Sequence, residues 1–496
     1  MSKYQWLGGV GAIALLSFGI LLFSTDSQVF NFIYRSQLVL SPNSTSFPMW
    51  RDIPALAANI YLFNVTNPDQ VTNEGAVPIV SEVGPFVFME SHHKTKLVWN
   101  ANNTITYQQI RNWKHVPELT NGSLSDYITI VNPIAASIAD LLRVSVPKSL
   151  HLLVDLFLRT EKEKIFVTHT ANEIIFKGFD DPILKAMNDA KFIIKNFIPD
   201  GAFMDKFAFF YARNGSDWMD GVFNMYTGAG DTSKMGKVHS WNYSTQNFFP
   251  GTCGKVKGGA GEFFPPGLNK TYIELYSNDL CRTLRFDFNV TSSPRGIPTY
   301  EYTAGRNMFG NGSVNPDNKC FNPATVSLPS GVFNTSICRF GAPVFVSQPH
   351  FYLADPYYSS LVHGMRPNPE KHTTSLKIEP LSGVPVEVLA KFQLNVLIDK
   401  VPDVALFKHL PRSFVPVMWV ENAAGVPDNM VFQMKLFAML KDILQGVGWG
   451  MFGLGVGIML ILTVKFISRR KQEEDGGPLI SEGLAEESDS ENVFHE

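Results

Sequence analysis

Two uninterrupted apolar runs, one near each end, frame a chain whose remaining polarity alternates over short distances. Trp6–Phe23 (WLGGVGAIALLSFGILLF) and Val447–Val464 (VGWGMFGLGVGIMLILTV) each hold 18 residues without a charge. As helices rising ~1.5 Å per residue they cover ~27 Å, close to the ~30 Å hydrocarbon layer of a bilayer. Between them, residues 28–130 read as mostly extended: GAVPIVSEVGPFVFMES and NNTITYQQIRNW are β-branched and aromatic, partly alternating, and broken by Gly, Pro and Asn. Residues 132–198 change period. Leu150, Leu153, Val154, Phe157 and Leu158 recur at helical spacing with Asp155 and Arg159 off that face. Asp181-Pro182 opens a second helical stretch, followed by Leu184, Met187, Ala190, Lys191 and Ile194 at three- and four-residue steps. Strand signals return from Ala202 to Phe432, and no tandem repeat appears. The pattern predicts an α+β chain: a large antiparallel β structure with a helical insertion, held by two transmembrane helices.

The flanks give the runs a direction. Lys465, Arg469, Arg470 and Lys471 follow the second run, which places the carboxyl tail in the cytosol, and Lys3 votes the same way for the amino end. The first run is long for a cleaved signal core and STDSQVF offers no small-x-small cleavage site, so an uncleaved anchor is the favoured reading over a signal peptide. The expected layout is a cytosolic end (1–5), a span (6–23), a luminal or extracellular ectodomain (24–446) with a helical part at 132–198, a second span (447–464) and an acidic cytosolic tail (465–496). Ten Asn-x-Ser/Thr sequons, at Asn43, Asn64, Asn102, Asn121, Asn214, Asn242, Asn269, Asn289, Asn311 and Asn334, lie in the middle segment. All four cysteines, Cys253, Cys281, Cys320 and Cys338, lie there too, and an oxidising compartment favours two disulfides over four free thiols, with three connectivities open.

Charge narrows the partners. The net charge is −3 and only 18% of residues are charged, which argues against a nucleic-acid surface. The tail holds four basic residues against nine acidic ones, leaving the ectodomain close to neutral. Chemistry is sparse. Gly9-x-Gly11-x-x-Ala14 falls inside the first apolar run, and CGKVKGG lacks Walker spacing. There is no nucleophile elbow, H-E-x-x-H or paired C-x-x-C. His92-His93 point to opposite sides of a strand, and Asp180-Asp181 reads as a helix cap. Neither an enzyme nor a metal or cofactor site is expected. Within the second run, Gly446, Gly450, Gly453 and Gly457 share one helix face, and Gly8, Ala12 and Gly19 share one in the first; both suit span-to-span packing or homo-oligomerisation, or simply the glycine content of membrane helices.

Ordered motifs then come together: YLFNVTNPDQ, EVGPFVFME, GEFFPP, LCRTLRFDF, GIPTYEY, SGVFNTSICRFGAPVFVSQPHFYLADP, HTTSLKIEPLSGVPVEVLAKFQLNV and PVMWVEN. The chain between its two runs resembles the class B scavenger receptors, a family that includes a fatty-acid translocase, croquemort and lysosomal integral membrane protein type two. KIFVTHTANEIIFKGF looks most like the lysosomal member. The resemblance implies a barrel-like antiparallel core capped by a membrane-distal helical bundle, with an apolar tunnel that carries lipids towards the membrane. It implies the pairs Cys253–Cys320 and Cys281–Cys338; a further bridge of some relatives is missing here, since no cysteine lies between Cys320 and Cys338. It implies ligand contacts in the bundle, for which Lys162, Lys164 and His151 are the candidates. His151 has the pKa range of a switch between neutral and lysosomal pH, although the chain is a few residues shorter than the lysosomal relative before Lys164. Expected partners are lipids or lipoproteins, with a lysosomal hydrolase or a phagocytic surface target as the competing readings. In the tail, Asp475 followed by Leu479-Ile480 forms an acidic dileucine signal of the kind that clathrin-adaptor complexes bury, pointing to lysosomes or late endosomes, with the plasma membrane as a further site.

Overall fold

The computed structural model describes residues 3–191, 203–321 and 328–475, and they fall into two units. One comprises Met1–Phe32 with Met439–Glu496, the other Ile33–Ala438. The first holds most of helices α1 (Lys3–Gln37) and α9 (Asp428–Asp475), whose apolar, outward-facing stretches Trp6–Thr25 and Asp442–Gln472 are long enough to cross a bilayer.

In this unit the two helices meet along small residues, but not along the expected row of α9. A Cβ built on Gly19 would lie 2.9 Å from the Gly448 carbonyl, and one on Gly455 would lie 2.8 Å from Leu16 and 3.0 Å from the Ala12 carbonyl. Phe23 packs on Trp449 with ring centroids 4.5 Å apart. Around Gly446, Gly450, Gly453 and Gly457 an added Cβ meets nothing within 4 Å. The contact row therefore lies two residues along, which at ~100° per residue is the opposite side of the helix. On α1 the expected residues are used: Gly8 faces Leu462, and Ala12 and Gly19 face Gly455 and Gly448.

The second unit is built on one antiparallel sheet. Its strands are β1 (Asp52–Val65), β2 (Val80–Trp99), β3 (Thr104–His115), β6 (Phe223–Tyr226), β7 (Val238–Trp241), β8 (Tyr272–Ser277), β9 (Arg282–Ser292), β10 (Thr299–Thr303), β11 (Val332–Asn334), β12 (Val344–Ser347), β13 (Ser375–Ile378), β14 (Pro385–Ile398) and β15 (Ser413–Gly425). They run in the order β7-β6-β3-β2-β1-β15-β14-β13-β10-β9-β8, with β12 also on β14 and β11 on β12. At the centre, Val420 of β15 lies opposite both Ile60 of β1 and Phe392 of β14. Ser413–Val420 are buried without alternation, because both faces of β15 are covered, one inside the barrel and one beneath packed elements.

The edge strands β7 and β8 do not pair directly. The stretch around Gly258 and Gly259 lies between them: Val238 donates to the Gly258 carbonyl at 2.8 Å, and Tyr276 to the Gly259 carbonyl at 2.9 Å. Gly259 in turn donates to Glu274 at 2.8 Å. This seam nearly closes the sheet into a barrel. Gly258 has a φ of 89°, and a Cβ there would sit 2.7 Å from the Glu274 backbone, so the glycines of KVKGGAG permit the close approach.

Short helices decorate the barrel: α2 (Ser46–Arg51), α3 (Pro68–Glu74), α7 (Pro356–Ser360) and α8 (Pro369–His372). The insertion holds α4 (Pro133–Val144), α5 (His151–Thr160) and α6 (Pro182–Asp189). It is less helical than the periodicity implies, because Phe166–Thr170 forms β5 and pairs with β4 (Tyr127–Val131). Ile194, expected on the face of α6, lies outside the described residues.

Candidate functional site

The insertion is assembled on polar caps. Asn132 accepts from the Ile134 amide at 3.0 Å and so starts α4, and Asp181 accepts from Ile183 and Leu184 at 2.9 and 3.3 Å and so starts α6. The fully buried Asn132 amide also donates to Glu163 at 2.7 Å and to Asp181 at 2.9 Å. One asparagine thus ties the beginnings of two helices to the end of a third. Burial, and after it the Asp181 carboxylate, push Glu163 up to about 7 against the pull of the Lys164 backbone and Asn132.

α5 turns its polar residues inwards. His151, Asp155 and Leu158 are its buried positions. Asp155 accepts from the Ala405 amide at 2.7 Å and from Arg159 at 2.8 Å. Leu152, Leu153 and Leu156 are 74%, 63% and 62% exposed, and Leu150 and Phe157 are also on the surface. Leu141 and Val144, at the end of α4, extend the apolar surface along the chain. A helix stripe of this kind ordinarily packs on the core; here only Val154 and Leu158 of the expected set turn inwards. The result is an apolar surface of leucines on a rigid helix.

The structure separates the three candidate ligand residues. Lys162 and Lys164 are exposed. Lys162 occupies the left-handed position that ends α5, with φ 53°, and Glu163 donates back to Leu158 at 2.9 Å. That turn sends Glu163 inside, so it does not dilute the lysines' charge as its place in the sequence suggests. His151 is withdrawn from the surface: it is 4% exposed, with Nε2 3.3 Å from the Val146 carbonyl and Nδ1 3.5 Å from Asp403. His151 therefore does not share the outer surface with Lys162 and Lys164, because the helix turns this residue to the core and the leucines to the surface.

The remaining candidates are scattered. Cys253 bonds Cys320 and Cys281 bonds Cys338. Asn43, Asn102, Asn121, Asn214, Asn242, Asn269 and Asn289 are exposed, while Asn64, Asn311 and Asn334 are half-buried. The amide nitrogen is engaged in Asn311, which donates to the Leu328 carbonyl at 3.0 Å, and also in the exposed Asn121, Asn214 and Asn289, which donate to Gly84, Trp113 and Glu301 at 3.2, 3.3 and 3.4 Å. His92 bonds Glu90 at 2.7 Å and His93 bonds Asp52. Asp475 is the last residue of α9, and Leu479 and Ile480 lie outside the described residues. Two clefts, of about 80 Å³ around Tyr226 and about 10 Å³ beside Arg282, are far below the several hundred Å³ of an ordinary ligand pocket.

Sequence reasoning missed the inward turn of α5 and the Asn132 hub. The signal for the first was Asp155 and His151 four residues apart, a polar pair on one side of an otherwise leucine-rich helix.

Known proteins are similar in sequence along most of this chain. Scavenger receptor class B member 1 of Mus musculus is 32% identical over 483 residues, 95% of this chain and 91% of that protein. Protein peste of Drosophila melanogaster is 34% identical over 443 residues, covering 88% and 78%. Lysosome membrane protein 2 of Mus musculus is 29% identical over 442 residues, covering 86% and 87%. The sequence model of the CD36 family matches residues 9–466, from within the first apolar helix, through the barrel and its insertion, into the second apolar helix. With the barrel strands, the helical insertion and most of both apolar helices inside one continuous match, the chain belongs to the CD36 family.

Proposed function

We propose that this protein is a receptor of the lysosomal or endosomal membrane that captures lipid or lipoprotein surfaces at α4 and α5 and passes apolar ligands through the barrel towards the bilayer. The observation that carries the reading is the outward leucine face of α5. Three leucines left in water on a helix anchored by buried polar groups gain a partner only from outside, and burying them at ~25 cal/mol per Å² is sufficient to hold an acyl surface. Exposed Lys162 and Lys164 at the end of that helix add attraction for anionic headgroups. The names of the relatives, a scavenger receptor and a lysosomal membrane protein, agree with this reading. Capture and passage require no covalent step, catalytic residue or cofactor.

Both termini lie in the cytosol in this reading and the barrel faces the lumen, the side on which the seven exposed sequons would meet the glycosylation machinery. Replacing Leu152, Leu153 and Leu156 together by Ser is expected to weaken binding of the full-length protein to phosphatidylcholine vesicles about tenfold or more without lowering its melting temperature. Unchanged vesicle binding overturns capture at this face. Passage is tested separately, with a bulky probe lodged in the barrel: transfer of lipid that continues undiminished overturns the tunnel.

The similarity to Lysosome membrane protein 2 favours a second reading, a sorting receptor for a lysosomal hydrolase held by the same insertion. Pull-down at neutral and acidic pH separates the two, since a luminal hydrolase recovered in a pH-dependent way supports escort. Delivery by either route uses the tail: replacing Leu479 and Ile480 by Ala should move the protein from lysosomes to the cell surface, and unchanged lysosomal residence by microscopy overturns the dileucine reading.

A further inference from the structure

Buried arginines in the barrel unit come in two kinds. Arg111 and Arg213 lie against carboxylates: Arg111 donates to Asp220 at 2.6 Å and to Asp279 at 3.2 Å, and Arg213 donates to Asp220 at 2.6 Å. Arg282, the first residue of β9, is 3% exposed and forms no ion pair among the described residues. Its Nε donates to the Thr283 carbonyl at 3.3 Å and one terminal nitrogen, Nη2, to Asn318 at 3.0 Å. The guanidinium carbon lies over the rings of Phe321 at 3.7 Å and Phe333 at 4.5 Å. Every partner is neutral.

An arginine stays charged at physiological pH, so neutralisation by loss of a proton is closed to it. Its pKa is pushed down by burial with no charge opposing the effect. The faces of two phenylalanines offset only part of the cost of a desolvated ion, and a buried charge is ordinarily paired. A cleft of about 10 Å³ opens beside the guanidinium, between Phe309, Gly310 and Val332. That is the space open to the centre of a water-sized sphere, so the cleft admits one small body, a water molecule or a monatomic ion. The geometry is held covalently on both sides: Cys281, next to Arg282, bonds Cys338, and Cys320, two residues after Asn318, bonds Cys253.

We propose that Arg282 and this cleft form a binding site for a small monovalent anion, filled either by a free halide or by one oxygen of an acyl carboxylate. The anion supplies the counter-charge that the chain does not, and in the case of a carboxylate it fixes the polar end of an apolar ligand next to an aromatic wall. Bound anion stabilises the folded state in proportion to its occupancy, because the unfolded chain has no such site.

The test uses the full-length protein in detergent at constant pH and ionic strength, with gluconate replaced stepwise by chloride or bromide and unfolding followed by tryptophan fluorescence. A saturable rise in melting temperature of roughly 1–3 °C is expected. It should vanish in Arg282→Gln and weaken at least tenfold in affinity in Val332→Leu, which adds one methylene at the cleft and leaves the guanidinium in place. The same melting temperature in gluconate and chloride, or a halide effect retained by both variants, overturns the site. Should Arg282→Gln fail to fold, bromide soaked into crystals of the native protein decides: anomalous scattering beside Arg282 supports the site, and its absence overturns it. Competition by octanoate against bromide assigns the site to a ligand headgroup, and bromide binding untouched by octanoate assigns it to a free halide.

Discussion

Glu163 and Lys162 are neighbours with opposite fates, and the turn at the end of α5 decides both. Lys162 takes a left-handed conformation that disfavours side chains, so Lys162→Gly should stabilise the fold by roughly 1 kcal/mol while deleting a charge from the capture surface. A denaturant melt checks the stability, and binding to anionic vesicles checks the charge. Glu163 faces Asp181, Glu161, the Lys164 amide and Asn132. Its folded pKa, up to about 7 from the usual 4.5, exceeds that of the unfolded chain. A carboxyl raised on folding favours the protonated folded state, so its stabilising contribution is present below about 4.5 and is lost as pH rises through about 7. The melting temperature should therefore climb on acidification through that window. Glu163→Gln, already neutral, should flatten this climb and raise stability at neutral pH. A Glu163→Gln profile that still tracks the native one between these pH values would exclude Glu163 as its source.

At the scale of elements, two helices show what periodicity resolves. The spacing of apolar residues in α5 and of glycines in α9 marks real faces, but it does not say which face meets which neighbour. In α5, the inward side was set by single long-range bonds: Asp155 to the Ala405 amide, and His151 near Asp403. No local window contains partners some 250 residues away. In α9, two glycine rows exist, and Gly448 with Gly455 face α1 while Gly446, Gly450, Gly453 and Gly457 are left open. Enlarging Gly455 to Leu should therefore separate the paired helices, read as loss of a disulfide between cysteines introduced across the contact. The same change at Gly453 should leave that cross-link intact. By contrast the helix start at Asp181, the strand-rich stretches and the two apolar helices were legible, because caps, β-branched runs and long apolar segments are local properties. The insertion's β5 was not, since a five-residue strand is recognised only by its pairing with β4.

Across the whole molecule, long-range bonds hold strands that are far apart in the chain. Asp220 joins β3 to the segment before β6, accepting from Arg111, Arg213 and Gln109 within 2.6–3.2 Å. Asp220→Ala leaves two buried guanidiniums short of a carboxylate and should cost about 3–5 kcal/mol in a urea melt. The two disulfides close loops with sequence separations of 67 and 57 residues, each worth about 4 kcal/mol by loop-closure entropy. Their order was readable only through family resemblance, as four cysteines alone leave three pairings open. The barrel itself was likewise implied by ordered motifs and not by any strand taken alone, because closure depends on which edges meet.

That closure has a dynamic consequence. β14 and β15 are zipped over twelve paired positions, whereas β7 and β8, among the described residues, share no direct strand pairing and are bridged by the backbone of Gly258 and Gly259. Opening free energy follows the number of bonds broken together, so the barrel has one preferred line along which to part. In deuterated solvent the amides of Val238, Gly259 and Tyr276 should exchange well before those of Val420 and Phe392, by a local opening that leaves the rest of the sheet intact. A barrel able to part along one line while remaining folded elsewhere has a built-in side door, and the double glycine at 258–259 is its hinge pin.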